Sequence, residues 1–404
     1  MQIHPLITTT AALSDLCARL AKSEFVCVDT EFMRENTYWP ELCLVQIADE
    51  NEAAAIDPLA EGIDLKPLLD LLVDNEEVLK VFHAGGQDVE IVYNLTQRTP
   101  HPIFDTQIAM MAVSQSEQIG YANLVESWLG FTVDKGARFT DWSRRPLTDR
   151  QIEYAIGDVT HLAKIFPRLL KKLIKTGRGA WLDAEMDKLA DPANYANDSG
   201  QAWKRIRSTG RNLTVLGRLK ALAAWREGEA QHKNIPRGRI MRDETLADLA
   251  SHPPRNQGDL AKVRGLSNAW KDNDIGKRLM KVIEKAEPLH KDELPERGTP
   301  GAPLGKEGAL VADLLKLLLK IRAREIDVAA RLLTRADEME SLAAGVRDLP
   351  VLKGWRYDVF GKDALALVEG KMAFAVKHGR LAMTRIEAAL PEVPEGEVTA
   401  EAAE

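Results

Sequence analysis

The stretch Val26–Phe32, reading VCVDTEF, limits what this chain can fold into more than any other. Its apolar residues belong in the interior of a sheet. In a strand, residues i and i+2 project from one face, so Asp29 and Glu31 share a patch and Thr30 points the other way. Two carboxylates side by side repel and raise each other's pKa, an unfavourable arrangement unless a cation accompanies it. The competing reading is a strand that leaves the core with its acids in water.

The 404 residues allow two to four domains, at the usual ~100–200 residues each. With 45% hydrophobic and 28% charged residues, the composition is that of a soluble globular protein. A net charge of −7 announces no nucleic-acid binder, although local charge sets the field that a ligand feels. The cysteines Cys17, Cys27 and Cys43 are odd in number and form no CxxC pair, which argues against a disulfide framework or zinc knuckle and fits a reducing compartment. The opening MQIHPLITTT lacks the pattern of a secretory signal. The apolar stretch Leu314–Ile321 is interrupted by Lys316 and Lys320, and nothing approaches the ~20 residues of a membrane span. The expected location is the cytoplasm.

Strands are expected at Phe25–Phe32, Leu42–Ala48, Ala53–Ile56, Val78–His83 and Ile103–Asp105. The loop Met33–Glu41 carries Arg34, Asn36, Tyr38 and Trp39; it either grips a ligand or simply joins two strands. After Val78–His83, the turn Ala84-Gly85-Gly86 leads into a helix with Asp88 in its first turn. The spacing is not that of a P-loop. An acid there also complements the helix dipole, which is the plainer explanation. Thr148-Asp149-Arg150-Gln151 fits a capping box opening a long helix. Tyr154 and Asp158 lie four residues apart on one face of it, off the Ile152/Ile156/Val159 stripe. A tyrosine packed beside a surface acid is the alternative. An Arg- and aromatic-rich loop, RFTDWSRRPL (Arg138–Leu147), precedes this helix.

Composition shifts near residues 195–210. Between Gln201 and Arg242 there are eleven Lys/Arg against two acids, +9 in a chain that totals −7. Trp203 and Trp225 are interleaved, so the stretch has the footprint of a phosphate-backbone contact, or else is a solvated basic helix face. Pro288–Gly308 reads as a linker, with helical segments on either side. These segments look like repeats. Leu249-Ala250, Val263-Arg264-Gly265-Leu266, Ile275-Gly276-Lys277 and Val282-Ile283-Glu284 recur as Leu342-Ala343, Leu352-Lys353-Gly354-Trp355, Phe360-Gly361-Lys362 and Leu367-Val368-Glu369. Leu310–Glu387 is expected to be helical throughout. Pro391–Glu404, with five Glu and no Lys or Arg, is expected to be a disordered tail.

In this order and context, VDTEF, HAGGQD and YAIGD resemble the three motifs of the DEDD superfamily of 3′→5′ exonucleases, in the subgroup with a tyrosine in the third motif. DWSRRPL and WREGEAQHKNIPR (Trp225–Arg237) extend the similarity to the bacterial ribonuclease D family over nearly the whole chain. The repeats resemble helicase-and-RNase-D C-terminal (HRDC) domains, and the second copy lacks an Asn-Ile-Pro-Arg equivalent.

The resemblance implies an α/β ribonuclease H-like exonuclease domain over residues 1–195, a mixed sheet flanked by helices. Two small all-α HRDC-like domains at 208–290 and 306–388 would follow, then the acidic tail 389–404. It implies trimming of the 3′ ends of structured RNA such as tRNA precursors, with release of nucleoside 5′-monophosphates. Asp29, Glu31, Asp88 and Asp158 would hold two divalent ions, Mg²⁺ or Mn²⁺, which prefer oxygen ligands. Asp29 would bridge both ions, Glu31 and Asp158 would complete one shell, and Asp88 would bind the other ion mainly through waters. Tyr154 would orient the attacking water, because a phenol of pKa ~10 is a poor base at neutral pH. His83 would contact the terminal nucleotide or fill the core. Phe32, Tyr38 and Trp142 are expected to stack on bases. Arg205, Arg207, Arg211, Arg237 and Arg239 are expected to contact phosphates. A monomer without membrane attachment is expected. The rival readings are a DNA 3′→5′ exonuclease using the same site and a non-catalytic RNA-binding adaptor.

Overall fold

A computed structural model describes residues 1–134, 136, 140–207, 212–294 and 304–386. Six strands make one mixed sheet: β1 (Gln2–Ile3), β2 (Phe25–Met33), β3 (Glu41–Ala48), β4 (Glu52–Ile56), β5 (Leu79–Phe82) and β6 (Ile103–Asp105). Their order is β1-β4-β3-β2-β5-β6. The β2–β3 and β3–β4 pairs are antiparallel, whereas β1–β4, β2–β5 and β5–β6 are parallel. Seven helices accompany them among the described residues: α1 (Thr10–Leu20), α2 (Lys66–Val73), α3 (Gly86–Thr96), α4 (Thr106–Met110), α5 (Tyr121–Leu129), α6 (Asp149–Thr176) and α7 (Asp183–Ala190).

The alternation of β2 divides its side chains between two cores. Val26 and Val28 pack with Val45, Ile47, Ile56, Leu16, Leu20, Leu68 and Val89. On the opposite face Cys43, Leu44 and Ala55 pack with Trp142, Ala155 and Ile156. Asp29 and Glu31 therefore face α6. That helix is opened by the expected capping box: the Gln151 amide N–H reaches Thr148 Oγ1 and the Thr148 N–H reaches Gln151 Oε1. It runs unbroken through Pro167 over 28 residues.

The chain divides into two compact units, Met1–Met110 with Gln118–Glu296, and Met111–Glu117 with Arg297–Glu404. The first unit joins the α/β domain to a helical domain of α8 (Leu213–Lys233), α9 (Arg237–Ile240), α10 (Asp243–Ser251) and α11 (Asp274–Lys285). The second contains α12 (Lys306–Glu325), α13 (Ala330–Leu333), α14 (Ala336–Ala343), α15 (Gly354–Arg356) and α16 (Lys362–Val368).

Both helical segments begin with a long helix, a one-turn helix and a helix of eight or nine residues, and in both a further helix, α11 or α16, follows the repeated glycines. Their repeated glycines do matching work. Gly265 and Gly354 both have left-handed φ, +91° and +53°. A Cβ at Gly276 would lie 1.7 Å from the Trp270 carbonyl oxygen, and one at Gly361 would lie 2.3 Å from that of Val351.

The second segment is not helical to its end. Met372–Lys377 (β7) and Arg380–Arg385 (β8) form a hairpin. Its turn, His378-Gly379, has φ of +51° and +70°, as a tight hairpin turn requires.

Candidate active site

Asp29, Glu31 and Asp158 each present a carboxylate oxygen, all within 4.8 Å of one another. Asp158 is 9% exposed, while Asp29 and Glu31 are half-buried. Burial, then the charges of Asp88, Asp158 and Glu31, hold the Asp29 carboxyl well above its usual range. The β2–β3 ladder shifts register between Glu31 and Phe32, a bulge directly after the second acid.

Asp88 stands beside this trio rather than in it. The Thr30 hydroxyl, on the alternate face of β2, donates to Asp88 Oδ1 at 2.5 Å. Burial is the main cause that pushes the Asp88 carboxyl up to about 6, with the Thr30 hydrogen bond acting against it. The turn before α3 is fixed by Asp105, whose carboxylate accepts from the Gly85 N–H at 2.8 Å. Gly85 has no room for a side chain, since its Cβ would fall 2.5 Å from that of Phe82.

Sequence reasoning passed over Gln46. It sits directly opposite Asp29 in the ladder, is fully buried, and neither of its amide atoms has a hydrogen-bond partner. Opposite residues of an antiparallel pair share a face, so this amide lies on the acidic side of the sheet. Mutually repelling carboxylates beside an orphaned amide fit a hydrated divalent cation, which prefers oxygen ligands.

Tyr121 was also passed over. Its hydroxyl lies 2.9 Å from the Gly157 and 2.6 Å from the Asp158 carbonyl oxygens, tying α5 to the turn of α6 that carries Asp158. His83 packs edge-on against Tyr121 at 5.6 Å. The ring nitrogens of His83 meet Thr106 Oγ1 at 2.9 Å and the Ile119 carbonyl at 3.0 Å, and burial lowers its pKa. Both ring nitrogens are thus engaged by the fold itself.

Tyr154, one turn before Asp158, packs against Trp142 with ring centroids 6.2 Å apart. The loop bearing Trp142 is fastened by Arg145, which grips Asp57 at 2.6 and 2.7 Å and donates to the carbonyls of Cys43, Trp142 and Arg144.

Several residues expected to meet RNA are placed elsewhere. Trp142 is 2% exposed and Tyr38 is 6% exposed, so neither offers a face to a base. The Tyr38 hydroxyl donates to Glu227 Oε1, and Arg237 lies 3.4 Å from the same oxygen. Arg239 donates to Asn36 Oδ1. Phe32 is half-buried, and Arg205 and Arg207 are exposed. Arg211 and the tail 389–404 lie outside the described residues.

Residues 5–174 match the family model described as a 3′-5′ exonuclease, and residues 215–283 match the HRDC domain. The chain is 68% identical to a ribonuclease D of Sphingobium indicum over 96% of this chain and all of that one. It is 64% identical to a ribonuclease D of Zymomonas mobilis over the same shares. Its fold is similar to the crystal structure of Escherichia coli RNase D, described as an exoribonuclease involved in structured RNA processing. That match has a TM-score of 0.73 and 29% identity, over 91% of this chain and 99% of the other. Relatedness of this depth makes the chain a member of the ribonuclease D family, a 3′→5′ exoribonuclease.

Proposed function

We propose that this enzyme trims the 3′ ends of structured RNA, tRNA precursors among them, by two-metal hydrolysis that releases nucleoside 5′-monophosphates. The observation that carries the reading is the convergence of Asp29, Glu31 and Asp158 within 4.8 Å. A scaffold has no use for such a repulsive cluster. These three and Asp88 hold two divalent ions, Mg²⁺ or Mn²⁺. When bound, such ions activate a water and stabilise the leaving 3′-oxygen.

The chain's own residues do the rest. Tyr154 orients the attacking water, with its ring held by Trp142. The unpartnered Gln46 amide, across the ladder from Asp29, would hydrogen-bond water held beside that carboxylate. Phe32 stacks on a base near the 3′ end. Arg205 and Arg207 hold the phosphate backbone. The second helical segment is a second HRDC domain, a reading supported by its order of helices and its matching glycines. The enzyme acts as a monomer in the cytoplasm. No helix among the described residues is long and apolar enough to cross a membrane.

The test uses 5′-labelled RNA and the matching DNA, each with an unstructured 3′ tail. Stepwise shortening of RNA, lost with chelator and in Asp29→Asn, is the expected outcome. Preferential shortening of DNA would shift the substrate assignment. Binding without shortening in Mg²⁺ and in Mn²⁺ would overturn the catalytic reading.

A further inference from the structure

The stretch WREGEAQHKNIPR lies within Gln201–Arg242, whose charge reads in sequence as a phosphate-backbone contact or a solvated basic face, yet three of its polar side chains meet the exonuclease domain. Glu227, Gln231 and Asn234 fall at i, i+4 and i+7, one stripe of α8 and its C-terminal cap. All three meet the loop between β2 and β3. Glu227, 1% exposed, accepts from the Tyr38 hydroxyl. The Gln231 amide donates to the Tyr38 oxygen at 3.2 Å. Asn234 Oδ1 accepts from the backbone N–H groups of both Tyr38 and Trp39, each at 3.1 Å. Asn234 itself has a left-handed φ of +48°, which asparagine tolerates. Arg239 adds its contact to Asn36.

This loop leaves directly from the strand of Asp29 and Glu31. Four residues before Tyr38, Arg34 grips Glu90 through two parallel hydrogen bonds of 2.7 and 2.8 Å. Such a fork holds geometry as well as charge. Glu90 lies on α3, two residues after Asp88. The second helical repeat lacks the Asn-Ile-Pro-Arg sequence; its matching left-handed position is Asp327, at φ +52°, whose Oδ1 accepts from the Gln115 amide instead.

We propose that the first helical domain is a structural part of the acidic site. Glu227, Gln231 and Asn234 are positioning residues that latch the β2–β3 loop and, through Arg34 and Glu90, hold Asp88 against the strand of Asp29. The proposal rests on the metal-binding reading of those acids. The helical domain then sets the spacing of metal ligands in the domain that cuts.

The test uses the full chain with Asn234→Gly, which keeps the left-handed backbone and removes the acceptor, and Asn234→Asp, which restores an acceptor. Tyr38→Phe is a second, milder break. Hydrogen exchange at the Tyr38 and Trp39 amides in metal-free protein reads the latch. Mn²⁺ binding without RNA, followed by electron paramagnetic resonance, reads the site, with Asp29→Asn as its control. Asn234→Gly is expected to speed exchange at both amides, weaken Mn²⁺ binding by about threefold or more, and lower kcat with KM for RNA unchanged. Asn234→Asp is expected to recover both readings.

Faster exchange with unaltered Mn²⁺ binding and kcat would overturn the proposal, as would unaltered exchange. A rise in KM with a shallower salt dependence would overturn it by returning these residues to RNA contact. If wild type and Asp29→Asn bind Mn²⁺ alike, the metal reading fails, whatever the exchange data show about the latch.

Discussion

Asp88 is held by opposed forces: burial raises its pKa and the Thr30 hydroxyl lowers it, leaving the carboxyl at about 6 against an ordinary 3.8. Between those two values the folded, metal-free protein keeps a proton that the unfolded chain has released. Stability therefore falls as pH rises through that window, because the folded state binds more protons. Thermal unfolding in chelator should show Tm declining from about pH 4 to about pH 6, and Asp88→Asn should flatten that decline. Added divalent cation should restore Tm most strongly above pH 6, where the Asp88 carboxyl has lost its proton. A decline that survives unchanged in Asp88→Asn would refute the assignment. The acids themselves were legible in the sequence, because strand alternation and helix spacing need only local geometry. Gln46 and Tyr121 were not. Their importance depends on which residue lies across a ladder or against a distant helix turn, and no local pattern carries that.

At the scale of elements, the loop before α6 shows how a segment without regular structure becomes rigid. Arg145 spends its guanidinium donors on Asp57 and on the carbonyls of Cys43, Trp142 and Arg144. The ion pair is largely sheltered, with the Asp57 side chain 6% exposed. A lysine has neither the planar fork nor enough donors to replace it. Arg145→Lys should cost roughly 2–4 kcal/mol in denaturant unfolding. It should also lower kcat more than it weakens RNA binding, since the loop places Trp142 behind Tyr154. A stability change within about 0.5 kcal/mol, the ordinary range for surface substitutions, would show that the clamp holds nothing. The sequence announced this stretch as rich in Arg and aromatics without saying which way they faced. The hairpin β7–β8 was missed for a related reason. Ala, Leu, Met and Lys favour helix, and that preference masked the alternation of Met372, Phe374 and Val376 and the His378-Gly379 turn.

Across the whole molecule, the +9 of Gln201–Arg242 is mostly spoken for. Arg226 is 2% exposed, donating to the Met241 carbonyl and to Asp243. Arg218 donates to the Ala250 carbonyl, Lys220 pairs with Glu293, and Lys233 pairs with Glu229. Arg237 and Arg239 serve the latch to the exonuclease domain. A charge count thus overstated the surface open to RNA, because it cannot distinguish a cation that binds a ligand from one that binds its own fold. Among the described cations of the stretch, Lys204, Arg205, Arg207, Lys233, Arg239 and Arg242 are exposed, and of these Lys233 and Arg239 already meet Glu229 and Asn36. Arg205 and Arg207 lie two residues apart just before the first helical domain. If they contact phosphates, each releases counterions on binding, and single strands give a slope of about 0.7 per contact. Converting both to glutamine should therefore reduce the slope of log K against log [salt] by up to about 1.4, with RNA affinity falling most at low salt. Lys220→Gln, which removes a cation already paired with Glu293, should leave that slope nearly unchanged. Equal effects from both substitutions would mean that net charge, rather than the placement of individual residues, governs the encounter with RNA.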